Sequence, residues 1–242
     1  MTTQKTALIT GANKGIGFEI AKELGELGIT VLVAARDEAR GKEAVSQLSG
    51  YGVTAVYVNL DVTEQATIDA AANFIAKQFG SLDILVNNAG ITGTGSFIPS
   101  EVTTETMLNV YATNVFGVVA VTNAMLPLLK KSPSGRIVNM SSGLGSITLA
   151  NDPDSQYGSR NFMPYQSSKS ALNAITVAYA KELREEGIKV NAADPGFTAT
   201  DLNQHRGTRT VQQAAAIVVR LATLPDDGPT GSFQDEDGVI PW

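Results

Sequence analysis

The sequence predicts an α/β fold: a doubly wound parallel sheet with helices on both faces, built as a single domain over residues 1–242. Three observations lead there. Short apolar runs rich in Val and Ile alternate with longer amphipathic segments almost from end to end. A glycine loop, TGANKGIG at 10–17, joins the first apolar run to the first amphipathic segment. No internal repeat, low-complexity stretch or linker divides the chain, and 242 residues can bury a substantial core.

The runs at 7–9, 30–34, 53–58, 82–86, 136–140 and 189–192 read as strands. Glycine or polar turns bound them, and near-continuous apolar character suits strands covered on both faces. Ile16, Ile20, Leu24 and Leu27 share one face of a first helix. Further helices are expected at 36–48, 63–79, 103–130 (with a break near Ala112), 164–186 and 211–224. Pro164 suits a first turn, where its missing N–H would have no partner anyway. Thr210 with Gln213 makes a capping box for the last helix. The connections should be right-handed crossovers. Residues 151–163, NDPDSQYGSRNFM, are polar and glycine-containing and predict a surface loop.

Composition narrows the function. A net charge of −6 and a pI of about 4.9 argue against a nucleic-acid partner and against docking onto an acidic carrier protein. The absence of cysteine excludes disulfides and thiolate metal sites and fits a cytoplasmic protein. His205 is the single histidine, so zinc sites built on several histidines are excluded and no metal is expected. No G-x-S-x-G elbow is present for a serine hydrolase. The apolar stretch 115–129 is interrupted by Asn123 and Pro127 and falls short of a membrane span. The N-terminal apolar run ends at Gly11, too early for a signal peptide.

Gly11, Gly15 and Gly17 would keep the turn after the first strand tight and bring backbone amides to a pyrophosphate at the helix N-terminus. Asp37 has the right distance from Gly17 to hold a ribose diol, yet Ala35 ends the second strand and Arg36 follows it. Arg36 and Lys14 together suit a phosphate on the adenosine ribose, so NADP(H) is expected rather than NAD. Asp61, after the third strand, either accepts from an adenine amino group or caps the helix starting near Thr63.

Tyr165 and Lys169 lie four apart, on one helix face. A cation there favours the phenolate. At an effective dielectric of about 20 and about 5 Å, the attraction is roughly 3 kcal/mol, or about two pKa units. A phenol so acidified could exchange a proton with an alcohol or ketone oxygen.

TGANKGIG, NNAG at 87–90, Asn114, Ser142, YQSSK at 165–169 and PGFTAT at 195–200 occur in one order and spacing. Together they resemble the short-chain dehydrogenases/reductases over about residues 5–200, and GANKGIG followed by AARD is most similar to the NADPH-dependent carbonyl reductases. The resemblance implies a Rossmann-like fold and reversible, NADPH-dependent reduction of a ketone or aldehyde. Asn13, Lys14 and Ile16, with Asp61, Val62, Asn87, Ala89 and Gly90, would line the cofactor. Pro195, Gly196 and Thr198 would pack against the nicotinamide, Thr198 reaching its carboxamide. Ser142, rather than Ser141, would hydrogen-bond the substrate carbonyl, Tyr165 would donate the proton, and Lys169 would also hold the nicotinamide ribose. Asn114 would hold a water linking Lys169 to solvent. The alternatives on the same fold are a 3-oxoacyl thioester reductase and a non-catalytic NADP-sensing protein.

Ser142 and Tyr165 stand 23 residues apart, more than the dozen or so usual in the compact members of that family. The extra loop should border the pocket, bringing Tyr157 and Phe162 to the substrate. Because it is shorter than the insertions of monomeric mammalian carbonyl reductases, a homo-oligomer (dimer or tetramer) is expected. Residues 197–209 form a natural lid carrying Leu202, Gln204 and His205, the last with no chemistry assigned. In the tail, Asp235, Glu236 and Asp237 read as solvated, and Trp242 as packing at the pocket or at a subunit contact.

Overall fold

The computed structural model describes residues 4–242. Seven strands form one parallel sheet in the order β3-β2-β1-β4-β5-β6-β7. They are β1 (Thr6–Thr10), β2 (Thr30–Ala35), β3 (Ala55–Asn59), β4 (Ile84–Asn87), β5 (Arg136–Met140), β6 (Lys189–Ala193) and the short β7 (Phe233–Gln234). The order reverses direction between β1 and β4, which opens a crevice at their C-terminal ends.

Alternation along each strand sends side chains to two cores. Ala7, Ile9, Val31, Val33 and Val86 pack against α1 (Gly15–Glu26), α2 (Glu38–Gly50) and α8 (Val211–Ala222). Leu8, Leu32, Leu85, Ile137 and Val190 face α3 (Gln65–Gln78), α5 (Gly117–Leu129) and α7 (Met163–Glu182). The remaining helices are α4 (Thr104–Tyr111) and the five-residue α6 (Ile147–Asn151).

The expected elements all occur, with shifted ends. β3 begins at Ala55 rather than Val53, and α3 begins at Gln65 rather than Thr63. The long helical stretch does break at Ala112, into a π-helical turn over Ala112–Phe116. The Thr210–Gln213 capping box is present in both directions, with the Gln213 amide donating at 3.2 Å and the Thr210 amide at 2.9 Å. One expectation changes: with α4, the π turn and α5 taken together, Thr104–Leu129 is long and apolar enough to span a membrane. Half of that stretch is buried inside the protein, however, so its apolar face is accounted for by the second core.

Candidate active site

The three loop glycines serve different ends. A Cβ on Gly17 would meet the Gly11 carbonyl oxygen at 2.7 Å, so its bareness allows the loop to close on itself. Gly11, at φ +66°, lies against Ala89, whose Cα would be 3.2 Å from an added Cβ. Gly15, at φ +59°, has only the Thr200 methyl near it, at 3.8 Å. Its backbone therefore borders open space at the start of α1, where no side chain caps the first-turn amides. That is a cradle for an anion, and the residues present fit a dinucleotide pyrophosphate. Asn88, not singled out by the sequence, fastens the loop by donating to the Thr10 carbonyl at 2.8 Å.

Ser142 lies two residues past the end of β5, and its Oγ accepts from the Leu144 amide at 3.3 Å. Tyr165 enters from the first turn of α7, with Ser142 near enough to its phenol to favour the phenolate. Ser141 points the other way. It is fully buried and donates to Asn173 at 2.5 Å, toward α7. Lys169 lies one turn beyond Tyr165, its Nζ 5.4 Å from the phenol ring centroid and donating to the Met140 carbonyl at 2.6 Å. A Cβ on Gly90 would be 3.4 Å from Asn114 Oδ1 and 3.6 Å from Lys169 Nζ, so these groups converge beside β4.

The expected acidification of the phenol is not what the protein's own groups produce. Burial pushes the Tyr165 pKa up, the Asp194 charge pushes it further, and Ser142 opposes only part of this. Burial also pulls the Lys169 ammonium down to about 8. Desolvation of both partners outweighs the acidifying effect expected of a neighbouring cation.

Other predicted site residues fall into place unevenly. Asn87 turns inward rather than toward a cofactor, donating to Thr122 at 3.1 Å and to Asn139 at 2.8 Å. Strand parity explains this: Asn87 sits two residues after Leu85 and faces the same core. The Asn114 amide is wholly engaged, accepting from the Ile91 amide and donating to the Ile91 carbonyl, both at 2.9 Å, and donating to Ser168 at 3.0 Å. Its side chain thus clamps the loop after β4 to α7. Asp61 accepts from the Thr63 amide at 2.9 Å and hydroxyl at 2.7 Å, a local turn next to Val62, with Arg36 at 4.0 Å. Asp37 caps α2 by accepting from the Arg40 amide at 3.0 Å. Thr198 is buried, its hydroxyl donating to the Pro195 and Gly196 carbonyls at 3.2 Å.

Sequence comparison matches residues 5–210 to the short chain dehydrogenase family. The chain belongs to the short-chain dehydrogenase/reductase family. It is 42% identical over 229 residues to the short-chain dehydrogenase anuI of Penicillium roqueforti, covering 91% of this chain and 89% of that one. Two solved structures are similar over nearly the whole fold. Salutaridine reductase from Papaver somniferum gives a TM-score of 0.82 at 33% identity, covering 95% of this chain and 99% of that one. NADPH-bound carbonyl reductase from chicken fatty liver gives 0.86 at 31% identity, covering 99% of each.

Against that background this short-chain dehydrogenase has its own rim. The aligned span with salutaridine reductase of Papaver somniferum runs to 298 positions against 242 residues here, so the relative carries insertions that this chain lacks. The loop before Tyr165 begins with α6 and continues as turns. Tyr157 reaches Gly143, and Phe162 stacks at a tilt on Phe97, centroids 5.2 Å apart. The lid is ordered, with a 3-10 turn at Asp201–Asn203 and left-handed Gln204 and His205. Asp201 ties it to the glycine loop, pairing with Lys14 at 2.7 Å and with His205 at 2.9 Å. The tail is not simply solvated: Glu236 pairs with Arg209, and Arg220 donates to the Asp235 carbonyl at 2.7 Å. Trp242 stacks on Phe233 at 5.5 Å, and its carbonyl accepts from the Thr148 amide at 3.2 Å. Arg40 was missed in the sequence. It lines a cavity of about 500 Å³ with Asn13, Lys14, Gly15 and Asp201, and its signal was its place in the first turn of the helix after Arg36.

Proposed function

We propose that this chain is an NADP(H)-dependent reductase of ketones or aldehydes, able to run in reverse on secondary alcohols. The observation that carries the reading is the meeting of Ser142, Tyr165 and Lys169 past the C-terminal edge of the sheet, with Lys169 Nζ close to Gly90. The pyrophosphate would lie on the backbone of 15–17, and the phosphate of the adenosine ribose in the cavity of Asn13, Lys14 and Arg40, near Arg36. Asp201 already pairs with Lys14, but solvent screens an ion pair between two exposed side chains, so a phosphate can displace it. Ala89, Gly90, Pro195, Gly196 and Thr198 would flank the nicotinamide end.

NADPH, when bound, supplies the hydride. Ser142 holds the carbonyl oxygen and polarises it. Tyr165 donates its phenolic proton to that oxygen as charge develops there. With its pKa pushed up, Tyr165 is protonated at neutral pH, the form reduction needs. Oxidation of an alcohol needs the phenolate and should grow as pH rises. Lys169 orients the phenol and would hold the nicotinamide ribose. Leu108 and Phe116, exposed on the rod of α4 and the π turn, support a homo-oligomer.

The test is NADPH oxidation against a panel of ketones, aldehydes and quinones, repeated with NADH. The reading expects turnover on at least one carbonyl and a catalytic efficiency at least about tenfold higher with NADPH. Tight NADPH binding with no carbonyl consumed would favour a sensor protein, and a clear NADH preference would remove the phosphate site.

A further inference from the structure

One buried carboxylate at the centre of the site has no part in this chemistry. Asp194 follows β6 directly, sits 6% exposed, and has no lysine or arginine within ion-pair distance. Its Oδ1 accepts from the Gly196 amide at 2.9 Å, and the Gly143 amide lies near enough to favour the carboxylate. Its Oδ2 lies 3.5 Å from the phenol of Tyr157, in the loop before α7. Tyr157 in turn rests on bare backbone. A Cβ on Gly143 would collide with the Tyr157 hydroxyl and would stand 2.8 Å from Asp194 Oδ2. Ser142, the carbonyl-holding residue, is the immediate neighbour of Gly143. Three separate segments, the β5 end, the 152–162 loop and the β6 end, thus meet at one carboxylate.

We propose that Asp194 and Tyr157 form a positioning pair that fixes the 152–162 loop as one wall of the substrate pocket. This rests on the carbonyl-reductase reading above. Only glycine at 143 lets the phenol come so close, and an acceptor at 194 gives that half-buried phenol a partner. The loop before α7 would otherwise be held at this end by its own turns alone, from Asp152 to Arg160.

The groups around the carboxylate come from every side: Tyr157 from the loop, Tyr165 from α7, Asp235 from beyond β7, and the Arg209 cation from the lid. Burial and the Asp194 charge push the Tyr157 phenol up to about 12, so it stays a donor throughout the working range. The same charge also pushes the Tyr165 pKa up, after burial, favouring its proton-donating form.

The experiment uses the full chain, with NADPH and whichever carbonyl the wild type reduces. Turnover by the wild type and its loss in Tyr165→Phe come first. If either fails, the reductase reading falls and the pair is not at issue. With both in hand, Tyr157→Phe should raise the KM for the carbonyl about tenfold while kcat changes less than about threefold and NADPH affinity holds. Asp194→Ala, which removes the acceptor, should raise KM similarly with kcat changed less than about threefold. The double variant should raise KM no further than the worse single one. Wild-type KM in Tyr157→Phe, or in a folded Asp194→Ala, would overturn the pair. Tyr157 is half-buried in a surface loop, so its variant reports even where Asp194→Ala does not fold.

Discussion

Two polar clusters lie side by side on β4, β5 and α7, and they differ in what their members pair with. In the inner one, Asn87 donates to Thr122 and Asn139, and Asn139 donates to Thr176 at 2.9 Å. Thr176 closes the chain on the Leu172 carbonyl at 2.8 Å. Every member is neutral and partnered, as buried polar groups must be. In the outer one, Ser142, Tyr165, Lys169 and Asp194 are mostly ionisable, and burial drives the charged forms of the last three toward neutrality. The boundary between them is a few residues along one strand. Asn139 and Ser141 share a face and bind α7, whereas Ser142 steps out to the crevice. A satisfied network holds the helix to the sheet, and a perturbed one is left for chemistry.

Substitutions can break or sharpen that contrast. Lys169→Met should lower kcat about a thousandfold, within the range for losing a group that supports proton transfer. The same change removes a buried charge that no carboxylate neutralises, so the urea midpoint should hold or rise, by about 1 kcal/mol. The sign with pH follows from the depressed pKa. Below about 8 both folded and unfolded Lys169 are charged and the burial cost is full; as pH rises toward 10.5 the folded form is neutral first. The stability advantage of Lys169→Met should therefore shrink across that window. A loss of stability in Lys169→Met at pH 7 would place Lys169 with the inner cluster.

The serines make a closer pair. Ser142→Ala should cost about a hundredfold in kcat with a normal denaturation curve. Asn139→Leu should do the reverse, losing about 2–3 kcal/mol by chemical denaturation because Asn87 and Thr176 are left without their partner. The folded fraction of that variant should turn over within a few-fold of wild type. Ser141→Ala is the mildest, at about 1–2 kcal/mol of stability and little change in kcat. Equal kinetic damage from both serine variants would erase the boundary drawn here.

Much of this could be read from residues alone, and the failures share a cause. The strand–helix alternation, the break at Ala112 and the one-face spacing of Tyr165 and Lys169 are local, so periodicity and motif order reach them. Asn87 against Asn88 was also within reach, because counting from Leu85 puts Asn87 on the inner face. The direction of the Tyr165 shift was not. It depends on how deeply α7 and the 152–162 loop bury the phenol and on a carboxylate 29 positions away in the chain. Likewise Glu236 looked solvated until the fold brought Arg209 beside it. Long-range contacts and desolvation are properties of the folded chain, and no spacing rule contains them.

The most direct measurement compares Tyr165→Phe with the wild type in two readouts on the same samples: NADPH affinity by fluorescence titration and carbonyl turnover. Nearly unchanged affinity with kcat reduced about a thousandfold or more is the expected result, since the phenyl ring keeps the packing and loses only the proton. Turnover close to wild type would show that the proton comes from elsewhere, and the assignment of the outer cluster to chemistry would be wrong.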